Sequence, residues 1–400
     1  MLGPDANKIF TTLLKLEEPW FVENVEATPE RVDIYLSTRA KALVECPVCG
    51  KRCKVHDRVQ RTWRDSDVRD AECFITAKIP RCECPKCGVK QIAVPWAREN
   101  ISFTESFERR AMSLMQRMPL TKAAEFMHVG TWVLEGILRY HVQRSLDRMD
   151  LSNVRNILLD ETSCKRGHRY ITVIADADTK GIIFMTEGKG SDSLRSFSDW
   201  LIAHNGDPSR IKLVSCDFSR SFLSGINEHL PRADIVYDRF HLVKMVNDAL
   251  DKIRSKNQMN GSRHKWMRFK LMKNGKDLSD DDKRKIFDIK NDNSVLGLAY
   301  EMKESLIQLY DYPDISAASE HVKQWLSWVD SKGEAPMKAV GRTVSRHFHR
   351  ILNWYIHKMS NGFLEGLNGM IQTTKRIGRG YPNTQNFMTM IFFRHGRLDI

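Results

Sequence analysis

The sequence predicts an α/β fold preceded by two smaller modules, and three observations carry that reading. The pattern Cys-Pro-x-Cys-Gly occurs twice, at Cys46–Gly50 and Cys84–Gly88; helical composition broken by a short turn runs from Thr104 to Tyr140; and from Asn156 onward short apolar runs alternate with helical stretches in the order βββαβαβα. A chain of 400 residues, against roughly 100–200 per domain, has room for several domains and a well-buried core. The divisions read as an N-terminal segment (1–43), a cysteine module (44–97), a helical module (103–148), the first part of an α/β core (154–255), a helical insertion (256–358) and the last helix of the core with the C-terminus (359–400).

The balance of 63 Lys and Arg against 50 Asp and Glu leaves a net charge of +13, which argues for a polyanionic partner. No apolar run approaches the roughly 18 residues that span a bilayer, and the start, Met1–Lys8, has no signal-peptide hydrophobic region, so a soluble, intracellular protein with no membrane partner is expected. That compartment is reducing. The nine cysteines, odd in number and several in Cys-x-x-Cys pairs, therefore read as metal ligands rather than disulfides.

Each cysteine repeat has the outline of a zinc knuckle: two thiolates two residues apart reach one tetrahedral ion, and the glycine that follows frees the backbone to turn beneath the sulfurs. Ala71–Ile79 supplies a small β-hairpin between the repeats, bringing Cys46, Cys49, Cys84 and Cys87 together as a zinc ribbon, with Cys82 an alternative to Cys84 and Cys53 and Cys73 as bystanders. Thiolate ligation at a closed four-ligand site fixes a fold, so this Zn2+ is assigned a structural and DNA-docking role. Arg52, Lys54, Arg58, Arg61 and Arg64 suit phosphate contact or solvated surface alike.

Thr104 to Met118 has helical composition, and Pro119 ends it. Leu120–Met127, a turn at His128-Val129-Gly130 and Thr131–Tyr140 follow at helix-turn-helix lengths. Gly130 supplies the turn, Thr131 caps the second helix, and Val133 and Ile137 face inward. In a major groove the exposed early positions Thr131, Trp132 and Glu135 would meet bases, and Arg139 and Arg144 phosphates. A helical hairpin joining two domains is the alternative.

In the core, Asn156–Leu159 ends at Asp160, Tyr170–Ala175 alternates as a strand, and Asp178–Gly181 turns into Ile182–Met185. A helix over about 191–204, the apolar run Ile211–Cys216 ending at Asp217, a helix near 221–229, the strand Asp234–Tyr237 and a helix from Arg239 complete an order that is that of an RNase H-like core. There the first and fourth strands are parallel neighbours, and acids at adjacent carboxyl ends converge on one crevice where they can share metal ions. Asp176 and Asp178 belong at the far end, and Glu161 should point away if the strand continues through it.

A third acid must come from a later helix, and Glu365 is the candidate, although composition alone favours a solvated helix glutamate there. Phe363, Leu367, Met370 and Ile371 make an apolar face by helical spacing, leaving Glu365, Asn368 and Gln372 on a polar one. Lys375, Arg376 and Arg379 suit phosphate contact, and Asp238 with His241, three apart, suit a supporting pair near the same strand ends, helix capping being the plainer account of Asp238. The stretch 256–358 reads as all-helical, with Trp325, Trp328 and Trp354. Its basic run Arg263, Lys265, Arg268, Lys270 and Lys273, broken by Trp266 and Phe269, suits either a DNA-facing surface or an amphipathic helix.

Taken in order, Cys46–Gly50, the helix-turn-helix, Leu159-Asp160-Glu161, Gly167–Tyr170, Cys216–Ser219, Tyr237–His241 and Asn361–Gly369 closely resemble the ISL3 family of bacterial insertion-sequence transposases over most of the chain. The resemblance implies a DDE transposase with Asp160, Asp217 and Glu365 as its acidic triad. It further implies two Mg2+ (or Mn2+) ions at that triad, double-stranded DNA as partner at the element's inverted-repeat ends and at the target, a homodimer or larger assembly, and a nucleoid-associated place in the bacterial cytoplasm. Two rival readings are a DNA-binding regulator with an inactive core and an RNase H-like nuclease of branched or hybrid substrates.

Overall fold

The computed structural model describes residues 4–39, 43–165, 169–256, 268–292, 294–359 and 362–400. Gly167 and His168 of the Gly-His-Arg-Tyr motif, Arg263, Lys265 and Trp266 of the basic run, and Asn361 lie outside the described residues. The chain divides into two units, Met1–Tyr140 and His141–Ile400.

The first unit comprises α1 (Pro4–Leu13), β1 (Trp20–Ala27), β2 (Arg31–Thr38), the two-residue strands β3 (Val44–Glu45) and β4 (Arg52–Cys53), β5 (Val55–Val68), β6 (Ala71–Cys84), β7 (Gly88–Gln91), α2 (Glu105–Arg117), α3 (Leu120–Phe126) and α4 (Thr131–Leu146), whose last turns cross into the second unit. Its sheet runs β1-β2-β6-β5, with β7 also on β6. Ala71–Ile79 is thus one arm of a longer hairpin, turning at Arg69, whose φ is 57°. Its partner β5 leaves no strand pattern in the sequence because charges interrupt its apolar alternation. Nor is 1–43 a separate segment: β2 pairs in parallel with β6 from Arg31↔Glu72 to Leu36↔Ala77. Alternate side chains of β6 (Cys73, Ile75, Ala77, Ile79) are buried with Val25, Ile34, Leu36 and Trp63, and Trp96 meets Trp20 edge-on at 4.8 Å and Trp63 at 5.5 Å.

The second unit opens with an antiparallel meander of β8 (Asn156–Lys165), β9 (Arg169–Asp176) and β10 (Ile182–Glu187). Then follow α5 (Ser191–Ala203), β11 (Leu213–Cys216), α6 (Arg220–His229), β12 (Asp234–Tyr237) and α7 (Arg239–Lys256). The sheet order is β10-β9-β8-β11-β12, with β8, β11 and β12 mutually parallel, so the expected pairing of first and fourth strands is present. Strands β11 and β12 are buried along their length except at Asp234, the first residue of β12. One expectation needs correction: Asp160 does not end its strand, since β8 continues through it to Lys165. Polar residues follow Asp160, and an apolar-run reading stops too early there.

Among the described residues, everything structured between α7 and residue 358 is helical: α8 (Arg268–Met272), α9 (Asp280–Asp292), α10 (Ser294–Ile307), α11 (Ile315–Lys332), α12 (Ala335–Arg346) and α13 (Phe348–His357), with short 3-10 turns between. Trp325 is buried and donates its indole N–H to the Met302 carbonyl at 2.8 Å. Asn353 on α13 donates to the Ile235 carbonyl at 2.9 Å, so the open edge of β12 is partly satisfied by a side chain. These helices share one apolar core with the sheet. The chain closes with two helices rather than one, α14 (Gly362–Ile377) and α15 (Thr384–His395); Asn383 caps the second, accepting from Gln385 N at 2.7 Å, and Phe387–Phe393 is buried throughout.

Candidate active site and metal-binding cysteines

Two parallel registers set the geometry of the acids. Strand β11 pairs with β8 from Leu213↔Asn156 to Ser215↔Leu158, and with β12 from Leu213↔Asp234 to Cys216↔Tyr237. Continued past the last pairs, the registers bring Asp217 level with Asp160 on one side and Asp238 on the other, one carboxylate per parallel strand. Each is held by local backbone. Asp160 Oδ1 accepts from Glu161 N at 2.7 Å, Asp217 Oδ1 from Ser219 N at 2.9 Å, and Asp238 Oδ1 from Phe240 N at 3.3 Å. Asp238 is buried and its Oδ2 lies 3.1 Å from Nδ1 of His241, which must donate to it.

Glu365 stands in the first turn of α14, on an exposed face near this row. The helix is tied to β8 by Asn368 Nδ2 donating to Asp160 Oδ2 at 2.7 Å and by Gln372 Nε2 donating to Thr162 Oγ1 at 2.9 Å and to Ser163 O at 3.0 Å. The predicted polar face is therefore the one that meets the strand. The apolar face is shifted: Leu364, Leu367, Ile371 and Thr374 are buried, whereas Phe363 is half-buried and Met370 exposed. Leu364, at helical spacing from Leu367 and Ile371, carries the sequence signal for this shift.

The electrostatics agree with crowding. Burial raises the Asp160 carboxyl above its usual range and Asp217 and Asp238 push it further, against the Glu161 amide and His241. Glu365 is raised by burial, then by Asp238 and Asp160, with His241 opposing. At His241 burial works to lower the pKa, but the Asp238 hydrogen bond and the charges of Asp160, Asp238 and Asp217 together leave it raised. Glu161 is not remote from the acids, as its strand position suggested: burial and then Asp217 push it up to about 7, with Lys189 opposing. Strand β11 has ended at Cys216, so Asp217 is not confined to one face of the sheet. Asp176 and Asp178 do lie at the far end, where Asp176 accepts from the Asp178 and Thr179 amides at 3.2 Å.

In the first unit, the sulfurs of Cys46, Cys49, Cys84 and Cys87 lie within 4.8 Å of one another, with Cys49 and Cys84 Sγ 3.6 Å apart. Cys82 is buried in the β6–β5 pairing opposite Val55 and outside this quartet, so Cys84 is the fourth member. Gly50 and Gly88 take φ of 69° and 74°, the left-handed turn each knuckle needs. Backbone N–H groups favour thiolate at two of the four, that of Val48 lowering Cys46 and that of Lys86 leading in bringing Cys84 to about 6, while burial and the neighbouring sulfurs push Cys87 up to about 12. Four converging soft donors fit a structural Zn2+.

The helical module begins with α2, whose N-cap Thr104 accepts from Phe107 N at 3.1 Å. Between α3 and α4 the left-handed residue is His128, at φ 52°, not Gly130. Gly130 serves a different need, since a Cβ there would come within 2.5 Å of the Trp132 indole. On α4, Val133, Leu134, Ile137 and Leu138 are buried, while Thr131 and Arg139 are exposed, Glu135 half-exposed, and Trp132 is 74 % exposed. Arg64, expected either at a phosphate or on solvated surface, is instead buried, paired with Asp67 at 2.6 Å and donating to the Asp65 and Cys73 carbonyls. Arg61 donates to the Ile101 carbonyl at 3.2 Å.

Residues 157–391, more than half of the chain, match the ISL3 family model described as "Transposase". The chain belongs to the ISL3 family of transposases. Residues 92–142 of this transposase match the helix-turn-helix domain of transposase family ISL3, and residues 42–87 the zinc-finger of transposase IS204/IS1001/IS1096/IS1165. It is 26% identical over 380 residues to the transposase for insertion sequence element IS1001 of Bordetella parapertussis, covering 92% of this chain and 93% of that one. It is 27% identical over 424 aligned positions to the transposase for insertion sequence element IS1557 of Mycobacterium tuberculosis, covering 96% and 94%. Among the described residues, no helix of the transposase is long and apolar enough to cross a membrane.

The remaining basic candidates of the transposase fall in two groups. Lys375 Nζ donates to the Ser163 carbonyl at 3.2 Å, beside the acids' strand, while Arg376 and Arg379 are exposed, the latter at φ 52° ahead of Gly380 at 90°. In the insertion, Arg268 pairs with Asp251 at 3.0 Å and Lys270 with Asp282, with Phe269 exposed beside them. Those two cations are thus partly neutralised within the unit.

Proposed function

We propose that this transposase cuts DNA at the ends of its insertion sequence and joins them to target DNA, with Asp160, Asp217 and Glu365 holding two Mg2+ (or Mn2+) ions on an RNase H-like core. The observation that carries the reading is the row of acids: Asp160 and Asp217 come level from parallel neighbours, and Glu365 on α14, the helix tied to β8 through Asn368 and Gln372, feels the charges of Asp238 and Asp160. An antiparallel meander followed by two parallel strands, with β8 beside β11, supports the core assignment. The donors are hard oxygens brought together from neighbouring strands, so the cluster suits a divalent cation. Bound there, such a cation supplies a lowered pKa for the attacking water or 3′-hydroxyl and stabilises the leaving oxygen.

The chain's own residues orient the acids. Glu161 N and Asn368 fix the two oxygens of Asp160, Ser219 N fixes Asp217, and Asp238 turns His241 toward the row, where its positive charge offsets part of the negative. A phosphodiester displacement of this kind needs no protein nucleophile, so Ser215, Ser219 and Tyr237 receive none of that role.

The zinc ribbon and helix-turn-helix recognise the terminal inverted repeats, with Thr131, Trp132 and Glu135 toward bases and Arg139 toward phosphate. Lys375, Arg376 and Arg379 meet the backbone of the DNA end. Two ends must be handled together, which calls for a homodimer or larger assembly, and a chromosomal substrate puts the protein at the nucleoid in the bacterial cytoplasm. The test is Mg2+-dependent cleavage and strand transfer of end-containing duplex by wild type, Asp217→Asn and Glu365→Gln. Loss of both reactions in each variant with end binding retained is expected. A wild type that binds the ends and cleaves under no metal condition would instead make the protein a regulator, and preference for branched DNA whatever its sequence would make it a nuclease.

A further inference from the structure

Three side chains of α14 reach β8, and they do different things. Gln372 and Lys375 bond to Thr162 and to the Ser163 carbonyl, which docks the helix; Asn368 bonds to an acid, Asp160 Oδ2, at 2.7 Å. A carboxylate oxygen only accepts, so the Asn368 atom facing it is the amide nitrogen. The amide oxygen is then turned the other way, where Oδ1 is buried without a hydrogen-bond partner among the described residues. A buried acceptor left unpaired is costly, and each such atom in a folded protein asks what donor completes it. Asn368 is also one helical turn from Glu365, on the same face.

We propose that Asn368 is a positioning residue for the metal centre: Nδ2 locks the Asp160 carboxylate in its ligating orientation, and Oδ1 accepts a hydrogen bond from a water carried by the divalent cation. A cation-bound water is the donor class that fits, because it would arrive with the ion that Asp160 would hold and is a stronger donor than bulk water. Partners that orient a ligating carboxylate typically change metal affinity by 10–100-fold when removed. The inference rests on the reading of Asp160 as a metal ligand.

Full-length wild type, Asn368→Ala, Gln372→Ala and Asp160→Asn are compared for Mn2+ binding by electron paramagnetic resonance, for the Mg2+ midpoint of end cleavage, and for melting temperature in EDTA. Alanine favours helix, and the buried Leu364, Leu367 and Ile371 stripe and the Gln372 contacts stay, so Asn368→Ala keeps its fold. The expected result is Mn2+ affinity weakened about tenfold and the Mg2+ midpoint raised by a similar factor in Asn368→Ala, with melting and end binding unchanged and Gln372→Ala like wild type in metal affinity. Unchanged Mn2+ binding in Asn368→Ala, or equal weakening in Gln372→Ala, would reduce Asn368 to helix docking. If Asp160→Asn binds Mn2+ as wild type does, the carboxylate reading falls and takes the inference with it; if only Asn368→Ala is unaffected, the carboxylate reading stands alone.

Discussion

The hydroxyl of Tyr237 and Nδ1 of His347 are hydrogen-bonded at 3.1 Å in a buried site, joining the last residue of β12 to the joint between α12 and α13. Phe218, which follows Asp217, stacks on the same tyrosine ring at 4.3 Å. The helical insertion is therefore fastened to the two strand ends that deliver Asp217 and Asp238. Tyr237→Phe keeps the ring stack and strands the imidazole nitrogen, a loss of about 1–3 kcal/mol. Denaturant unfolding should register that loss while end binding is unaffected; a variant as stable as wild type would mean that the bond does not fasten the insertion.

Arg64 and Trp132 should behave as opposites. Arg64→Ala removes the partner of a nearly buried Asp67 and is expected to cost about 3 kcal/mol or more of stability. Trp132→Ala, at an exposed helix position, should change stability by under about 0.5 kcal/mol yet weaken specific end binding by about 1–3 kcal/mol. Melting and binding measured on the same preparations check both, and reversal of the two effects would reassign the DNA-facing surface.

At the cysteine quartet, Cys84→Ser should lose zinc and destabilise the first unit, whereas Cys82→Ser should retain one zinc per chain. Metal analysis after dialysis separates them. Zinc retained in Cys84→Ser and lost in Cys82→Ser would exchange the two ligands.

How much of this was legible follows from where the signal lay. Asp160 and Asp217 could be read because apolar runs stop beside them, and the parallel register of β8 and β11 makes them neighbours, although β8 runs on past Asp160. The partner strand β5 and the extension of β8 past Asp160 could not, because polar residues occupy them and their pairing is set by strands far away in sequence. Arg64 shows the same limit: a charged residue beside a cysteine module looks solvated until its fold supplies Asp67. Asn368 was visible on the polar face of α14 but carried no sign that it would meet Asp160 across 2.7 Å.

His241 gives a pH dependence with a definite sign. Burial opposes its charge, but Asp238 and the neighbouring acids hold its pKa above the ordinary value. Its pairing therefore stabilises the fold fully below the unfolded pKa of about 6.5, and the contribution is lost as pH rises through the folded value. In metal-free protein, Asp238→Asn should lower the His241 titration midpoint seen by NMR and flatten that loss. An unmoved midpoint would show that Asp238 does not govern the histidine.

The central claim is that Asp217 touches a metal ion during cleavage, and metal substitution tests it most directly. With Asp217→Cys, the account predicts no cleavage of end DNA in Mg2+ and recovered cleavage in Mn2+ or Cd2+, which accept a thiolate ligand, while wild type works in Mg2+. Cleavage by Asp217→Cys in Mg2+ at the wild-type rate would contradict it.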